Sequence, residues 1–155
     1  MLEQEIYDEL MRKGLTVSTA ESLTGGLLAG RLINVPGASN VFPEGFITYS
    51  NATKHRRVHV SVTTLETKGA VSAECACEMA RGAAMAAGTD IGLATTGFAG
   101  PDNTPQEPAG LVYIGICTGK TIKAVENHFK GDRAAVREQA VVGALELLKE
   151  ELGKL

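Results

Sequence analysis

Residues 15–35 read LTVSTAESLTGGLLAGRLINV. The first six, Leu15 to Ala20, alternate and are rich in β-branched side chains, as a strand requires. From Gly25 onward, GGLLAGRLINV spaces its apolar residues for a helix opened by glycines. A strand passing directly into a helix is the building unit of an α/β domain. The unit recurs downstream. GFITYS (45–50) reads as a second strand and NATKHRRV (51–58) as a helix, with Asn51 in position to cap it. A long helix starts at Ser72, carries Glu74 in its first turn and runs to Gly88, and IGLATTG (91–97) follows as a buried strand.

The flanking segments complete the pattern. Leu2, Ile6, Leu10 and Met11 share helical spacing, and Gly14 stops that helix. VPGASN (35–40) is a loop, and SVTTLETKG (61–69) is a short helical turn. FAGPDNTPQEPAG (98–110) is too rich in Pro, Gly and Asn for regular structure. LVYIGICTG and KTIKAVENHF form a hairpin around Thr118, Gly119 and Lys120. Asp132 caps a last helix from Arg133 to Leu152. The predicted architecture is one α/β domain over residues 1–155, a three-layer α/β/α sandwich. The late hairpin makes its sheet mixed but mostly parallel.

Composition narrows the function. The chain has 155 residues, 44% hydrophobic and 21% charged, the usage of an ordinary globular domain. A net charge of -3 disfavours general binding to nucleic acid or membrane surfaces. No apolar run approaches the ~20 residues of a membrane span, and the charged, amphipathic start is unlike a signal peptide. The 3 cysteines, Cys75, Cys77 and Cys117, are an odd number, which points to a reducing, cytoplasmic setting. The 18 glycines suit tight turns and close backbone approaches around a ligand.

Three strand exits carry hydroxyls and glycines. Ligands of open α/β sheets bind at such carboxyl ends. After the first strand come Glu21, Ser22, Leu23, Thr24, Gly25 and Gly26. Their amides, at the start of a helix, suit an anion, and Ser22 or Thr24 can instead be a plain cap. After the second come Tyr49, Ser50, Asn51 and Lys54. A desolvated lysine can activate a serine, and Tyr49 can relay a proton; otherwise Tyr49 is a strand residue and Lys54 a solvated charge. After the third come Thr95, Thr96, Gly97 and Gly100, small enough for a ligand to reach the backbone. Neither a phosphate-binding P-loop nor a dinucleotide fingerprint is present. Arg133 and Arg137 lie at a helix start, where either suits an anionic substrate. His55 and His59 lack a third ligand and read as part of a solvated basic face with Lys54, Arg56 and Arg57. Cys75 and Cys77 lie about 200° apart on a helix and read as packing residues, as do Met79, Ala83 and Met85.

Together, TAESLTGG, VPGAS, ITYSNATK, the GAVS helix start, TTGFAGP and the final GDR-x-x-VR helix resemble the C-terminal domain of the CinA competence-damage-inducible proteins, from about Leu2 to Leu152. The resemblance implies a three-layer α/β/α sandwich. It also implies a nicotinamide-nucleotide amidase that converts nicotinamide mononucleotide to nicotinic acid mononucleotide and ammonia, recycling pyridine nucleotide. Ser22 would be the nucleophile, with Tyr49 and Lys54 completing a Ser–Tyr–Lys arrangement. Thr96, with Gly97 beside it, would line the substrate site, and Arg133 would bind or support the substrate. The amides of Thr24, Gly25 and Gly26 would hold either the substrate phosphate or the oxyanion. The implied protein needs no metal and no cofactor, takes a small nucleotide as substrate, and forms a homodimer. Two departures stand out: Glu44-Gly45 where paired glycines are usual, and Pro101-Asp102-Asn103 where the loop usually continues with glycines. They motivate a second expectation, a nucleotide-binding or partner module without turnover on the same scaffold. A hydrolase of another amide is a third.

Overall fold

All 155 residues are described in a computed structural model of six α-helices and five strands. The N-terminal helix α1 (Leu2–Lys13) ends where Gly14 takes a left-handed φ of 67° and turns its N–H back onto the last carbonyls. Strand β1 (Val17–Glu21) is buried along its whole length. It leads through a turn into α2 (Leu27–Leu32), shorter than the glycine-opened helix read from residue 25. Strand β2 covers Gly45–Ile47 only, so the 45–50 strand stops before Tyr49. Helices α3 (Asn51–Val58), α4 (Val62–Thr67) and α5 (Ala73–Ala87) precede β3 (Ile91–Gly97). The hairpin β4 (Leu111–Cys117) and β5 (Ile122–His128) and the long α6 (Arg133–Leu152) complete the chain. Asp132 caps α6 by accepting from the Ala135 amide.

The expected cap of α3 is corrected by one residue. Ser50, not Asn51, is the cap. Its hydroxyl accepts from the Thr53 amide, while the Thr53 hydroxyl accepts from the Ser50 amide. This reciprocal capping box leaves Asn51 inside the first turn.

The strand order is β2-β1-β3-β4-β5. β1 pairs in parallel with β2 and β3, while β4 runs antiparallel to both β3 and β5, so four strands share one direction. The sheet is mixed and mostly parallel, as the β–α alternation and the hairpin imply. Helices α1, α2 and α6 cover one face, and α5, with α3 and α4 packed on it, covers the other. Thus β1 exits toward one face and its neighbour β2 toward the opposite face. Such a divergence opens a crevice at the strands' carboxyl ends.

The two cores differ in kind. The α1/α2/α6 side is built of 22 residues, mostly Leu, Ile and Val. The α5 side has 8, rich in alanine. Small residues there bring α5 close to the sheet. A methyl group added at Gly92 of β3 would lie 1.8 Å from the Ala80 carbonyl oxygen, and one at Gly115 of β4 would lie 2.3 Å from that of Ala76. Backbone therefore rests on backbone, which fixes the depth of α5. Met85, read as core, is 64% exposed because the buried stripe of α5 runs through Cys75, Met79 and Ala83 instead.

Gly92→Ala should cost about 3 kcal/mol or more, since a carbonyl on a packed helix cannot step aside. Gly119→Ala has open space and should fall within about 0.5 kcal/mol of the parent. Urea unfolding of both variants checks this; equal stabilities would contradict the close docking of α5.

Candidate active site

The crevice between the exits of β1 and β2 holds a cavity of about 360 Å³. Ser22 and Leu23 line it from the turn after β1, Tyr49 from the segment after β2, and Arg133 from the start of α6. The loop after β3 closes the far wall with residues 97–100, Asp102 and Glu107. Ser22 is held in place because its amide donates to the Thr95 carbonyl at 3.0 Å, extending the β1–β3 ladder by one step.

Behind Ser22, the Nζ of Lys54 lies 3.0 Å from the Oγ of Ser22 and donates to the carbonyl oxygen of Thr48 at 2.9 Å. Lys54 is 3% exposed and Ser22 8%. The structure thus brings together the serine and lysine singled out from the sequence, 32 residues apart in the chain. No carboxylate pairs with this amine. Burial therefore pulls the Lys54 pKa below its ordinary 10.5. The thiol of Cys75 opposes that shift electrostatically, but burial pushes its own pKa up to about 12, so at neutral pH it carries no charge to hold the ammonium. A neutral Lys54 can accept the Ser22 hydroxyl proton while donating to Thr48.

Glu21, the residue before Ser22, points elsewhere, as a working lysine base requires. Its carboxylate accepts from the amides of Gly26 at 3.2 Å, Leu28 at 2.9 Å and Ala29 at 3.1 Å. The start of α2 is thereby filled by the chain's own anion. This corrects the anion-site expectation. The Gly26 amide goes to Glu21 and the Gly25 amide to the Ser22 carbonyl. Of the three amides considered, only that of Thr24 makes no hydrogen bond in the chain, and the amide of its neighbour Leu23 is likewise unpaired. The Thr24 hydroxyl is buried against that of Thr95 at 2.7 Å.

Thr96 is also buried, and its hydroxyl donates to the Ala70 carbonyl at 2.7 Å, bracing the approach to α5. Thr96 does not line the cavity, whereas Gly97 does. Tyr49 lines it and is 61% exposed, but its hydroxyl accepts from the Arg133 guanidinium at 3.0 Å and bonds neither Ser22 nor Lys54. Arg133 donates a second bond to the Gly100 carbonyl at 2.8 Å. The Thr48 carbonyl and the free Leu23 amide have no signature in sequence, because both are backbone groups. Glu107 lay unmarked in an irregular loop. His59 sits beyond α3 with a φ of 62°, so it does not share a helix face with His55.

The buried amine has a consequence for stability. A pKa lowered in the folded state means that the unfolded chain binds more protons between the folded value and 10.5. Stability must therefore rise with pH across that window and stop changing below the folded value, where both states are protonated. Relative to Lys54→Met, the parent should gain stability as pH is raised toward 10.5. Urea unfolding at several pH values measures the difference; one that stays flat or moves the other way would contradict a depressed pKa.

Comparison with known proteins places this geometry in a family. The family model for the CinA C-terminal domain matches residues 1–152. A Clostridium novyi protein with a competence-damage inducible name is 53% identical over 152 residues, which is 97% of this chain and 37% of that relative. A Caldicellulosiruptor saccharolyticus protein with the same name is 49% identical over 152 residues, again 97% of this chain and 37% of the relative. The chain thus spans under two-fifths of the length of these curated relatives. A crystal structure of a CinA superfamily protein from Klebsiella pneumoniae superposes with a TM-score of 0.95 at 34% identity, covering 99% of this chain and 97% of that one. The competence/damage inducible protein CihA from Agrobacterium tumefaciens gives 0.93 at 37% identity, covering 98% and 93%. By fold and by sequence, the chain belongs to the CinA C-terminal domain family.

Proposed function

We propose that this chain is a nicotinamide-nucleotide amidase that hydrolyses nicotinamide mononucleotide to nicotinic acid mononucleotide and ammonia. The observation that carries this reading is the buried Ser22–Lys54 contact of 3.0 Å, made without a carboxylate just behind the cavity that Ser22 lines. In this reading Lys54 takes the Ser22 proton as Oγ attacks the carboxamide carbon. The tetrahedral intermediate collapses as Lys54 passes that proton to its nitrogen, ammonia leaves, an acyl ester remains on Ser22, and Lys54 is neutral again. Water then attacks that ester, giving its proton to Lys54; the carboxylate product forms and Ser22 recovers its proton.

The other residues fit the same substrate. Tyr49 accepts a hydrogen bond from Arg133, so its own O–H is free to hydrogen-bond the nitrogen of the tetrahedral intermediate while Lys54 supplies the proton. Nicotinamide mononucleotide carries a pyridinium cation and a phosphate. Asp102 and Glu107 supply negative charge for the ring, and Arg133 is the one cationic side chain that lines the cavity and suits the phosphate.

Purified protein should release ammonia and nicotinic acid mononucleotide in equal amounts. Ser22→Ala should lower kcat by about 10³-fold or more. Lys54→Arg should be nearly as damaging as Lys54→Ala, because arginine does not give up its proton at working pH. Tight nucleotide binding without product would favour the non-catalytic module instead. Substantial kcat in Lys54→Arg would remove lysine as the base while leaving the amidase intact.

A further inference from the structure

Ser22 is followed by a tight turn, closed where the Gly25 amide donates to the Ser22 carbonyl at 3.1 Å. The two amides inside this turn, those of Leu23 and Thr24, find no acceptor in the chain although both residues are buried. Two adjacent unpaired N–H groups in buried residues are uncommon and call for a ligand. Leu23 lines the cavity beside the nucleophile, so the turn is at the reacting end.

The central peptide of the turn joins Leu23 to Thr24. Its carbonyl, that of Leu23, accepts from the Nε of Arg137 at 2.8 Å. Arg137 lies one turn into α6, is half-buried, and makes no other hydrogen bond and no ion pair within the chain. Its guanidinium also lies across the turn, 3.4 Å from where a Gly25 side chain would begin. In a trans peptide the N–H points opposite to the C=O. Holding the Leu23 oxygen therefore aims the Thr24 N–H away from Arg137. A central turn peptide can otherwise flip, as the type I and type II forms show, and carry its N–H to the wrong side.

We infer that Arg137 is a positioning residue, which locks and polarises the Leu23–Thr24 peptide so that the amides of Leu23 and Thr24 form the oxyanion hole for attack by Ser22. The inference rests on the amidase reading for its substrate but not for its chemistry. Any acyl group attacked by Ser22 develops a negative oxygen that these donors would meet. The rival role for Arg137 is a direct phosphate ligand, and the two roles affect rate and affinity differently.

The test uses the full chain and two probes. With nicotinamide mononucleotide, Arg137→Met should lower kcat by roughly 10- to 100-fold and leave KM within about 2-fold. Arg137→Lys keeps a cation and a donor, and should recover most of the rate. Arg137→Gln serves the same comparison if the Met variant does not fold. The second probe, pyridine-3-boronic acid, has no phosphate. Ser22 Oγ adds to boron as its proton passes to Lys54, giving a tetrahedral anion and no leaving group. Boron NMR should show that adduct in the parent, with affinity reduced at least 10-fold in Arg137→Met. A higher KM with kcat kept overturns the inference, as does unchanged boronate affinity in the variant or no adduct in the parent. If the parent turns over no nucleotide amide yet forms the adduct, the substrate assignment fails, and the boronate comparison alone decides the role of Arg137.

Discussion

One primary amine, that of Lys54, is buried against a serine hydroxyl and a peptide carbonyl with no acid beside it. That is an unfavourable place for an ammonium ion. The surrounding structure keeps it so. Glu21 lies directly before Ser22 and would neutralise the effect if it turned toward the amine. Three amides at the start of α2 hold it away. The same contacts shape the turn that presents Ser22. One carboxylate thus builds the nucleophile's turn and leaves the lysine unpaired.

Close packing of α5 supplies the other half of the arrangement. Gly92 and Gly115 let that helix rest on the strands, and Ser72 at its cap accepts from the Cys75 amide at 3.1 Å. The buried Cys75 closes the apolar surroundings of Lys54 and, as a neutral thiol, adds no counter-charge. Opposite, the loop after β3 is tied by Arg133 to Tyr49 and to its own Gly100 carbonyl, so the cavity walls from β2, β3 and α6 are linked through one guanidinium.

Much of this was legible in residue order. The β–α succession, the buried IGLATTG strand, the late hairpin and the Asp132 cap follow from periodicity and turn chemistry, and the α/β/α layers follow from them. Ser22 and Lys54 could be named because each leaves a strand at the end where α/β domains bind ligands. Backbone commitments were not legible. Side-chain type does not tell that Gly25 and Gly26 amides are already used, or that Thr48 contributes only its carbonyl. The hydroxyls of Thr24 and Thr96 are internal braces, a role that small polar residues at a strand exit fill as readily as capping or lining a substrate site. Asn51 lost the cap to Ser50 because Thr53 lies three residues beyond the serine and completes a two-way bond.

The central claim is that Lys54 is an unpaired amine able to act as a base beside Ser22. An NMR titration of lysine labelled with carbon-13 at Cε, with the Lys54 signal assigned by its loss in Lys54→Arg, reads that amine directly. The account requires the Lys54 signal to titrate clearly below the ordinary 10.5, and below the exposed lysines in the same spectrum. A midpoint at or above 10.5 would mean that the amine stays protonated at working pH, and would contradict the account.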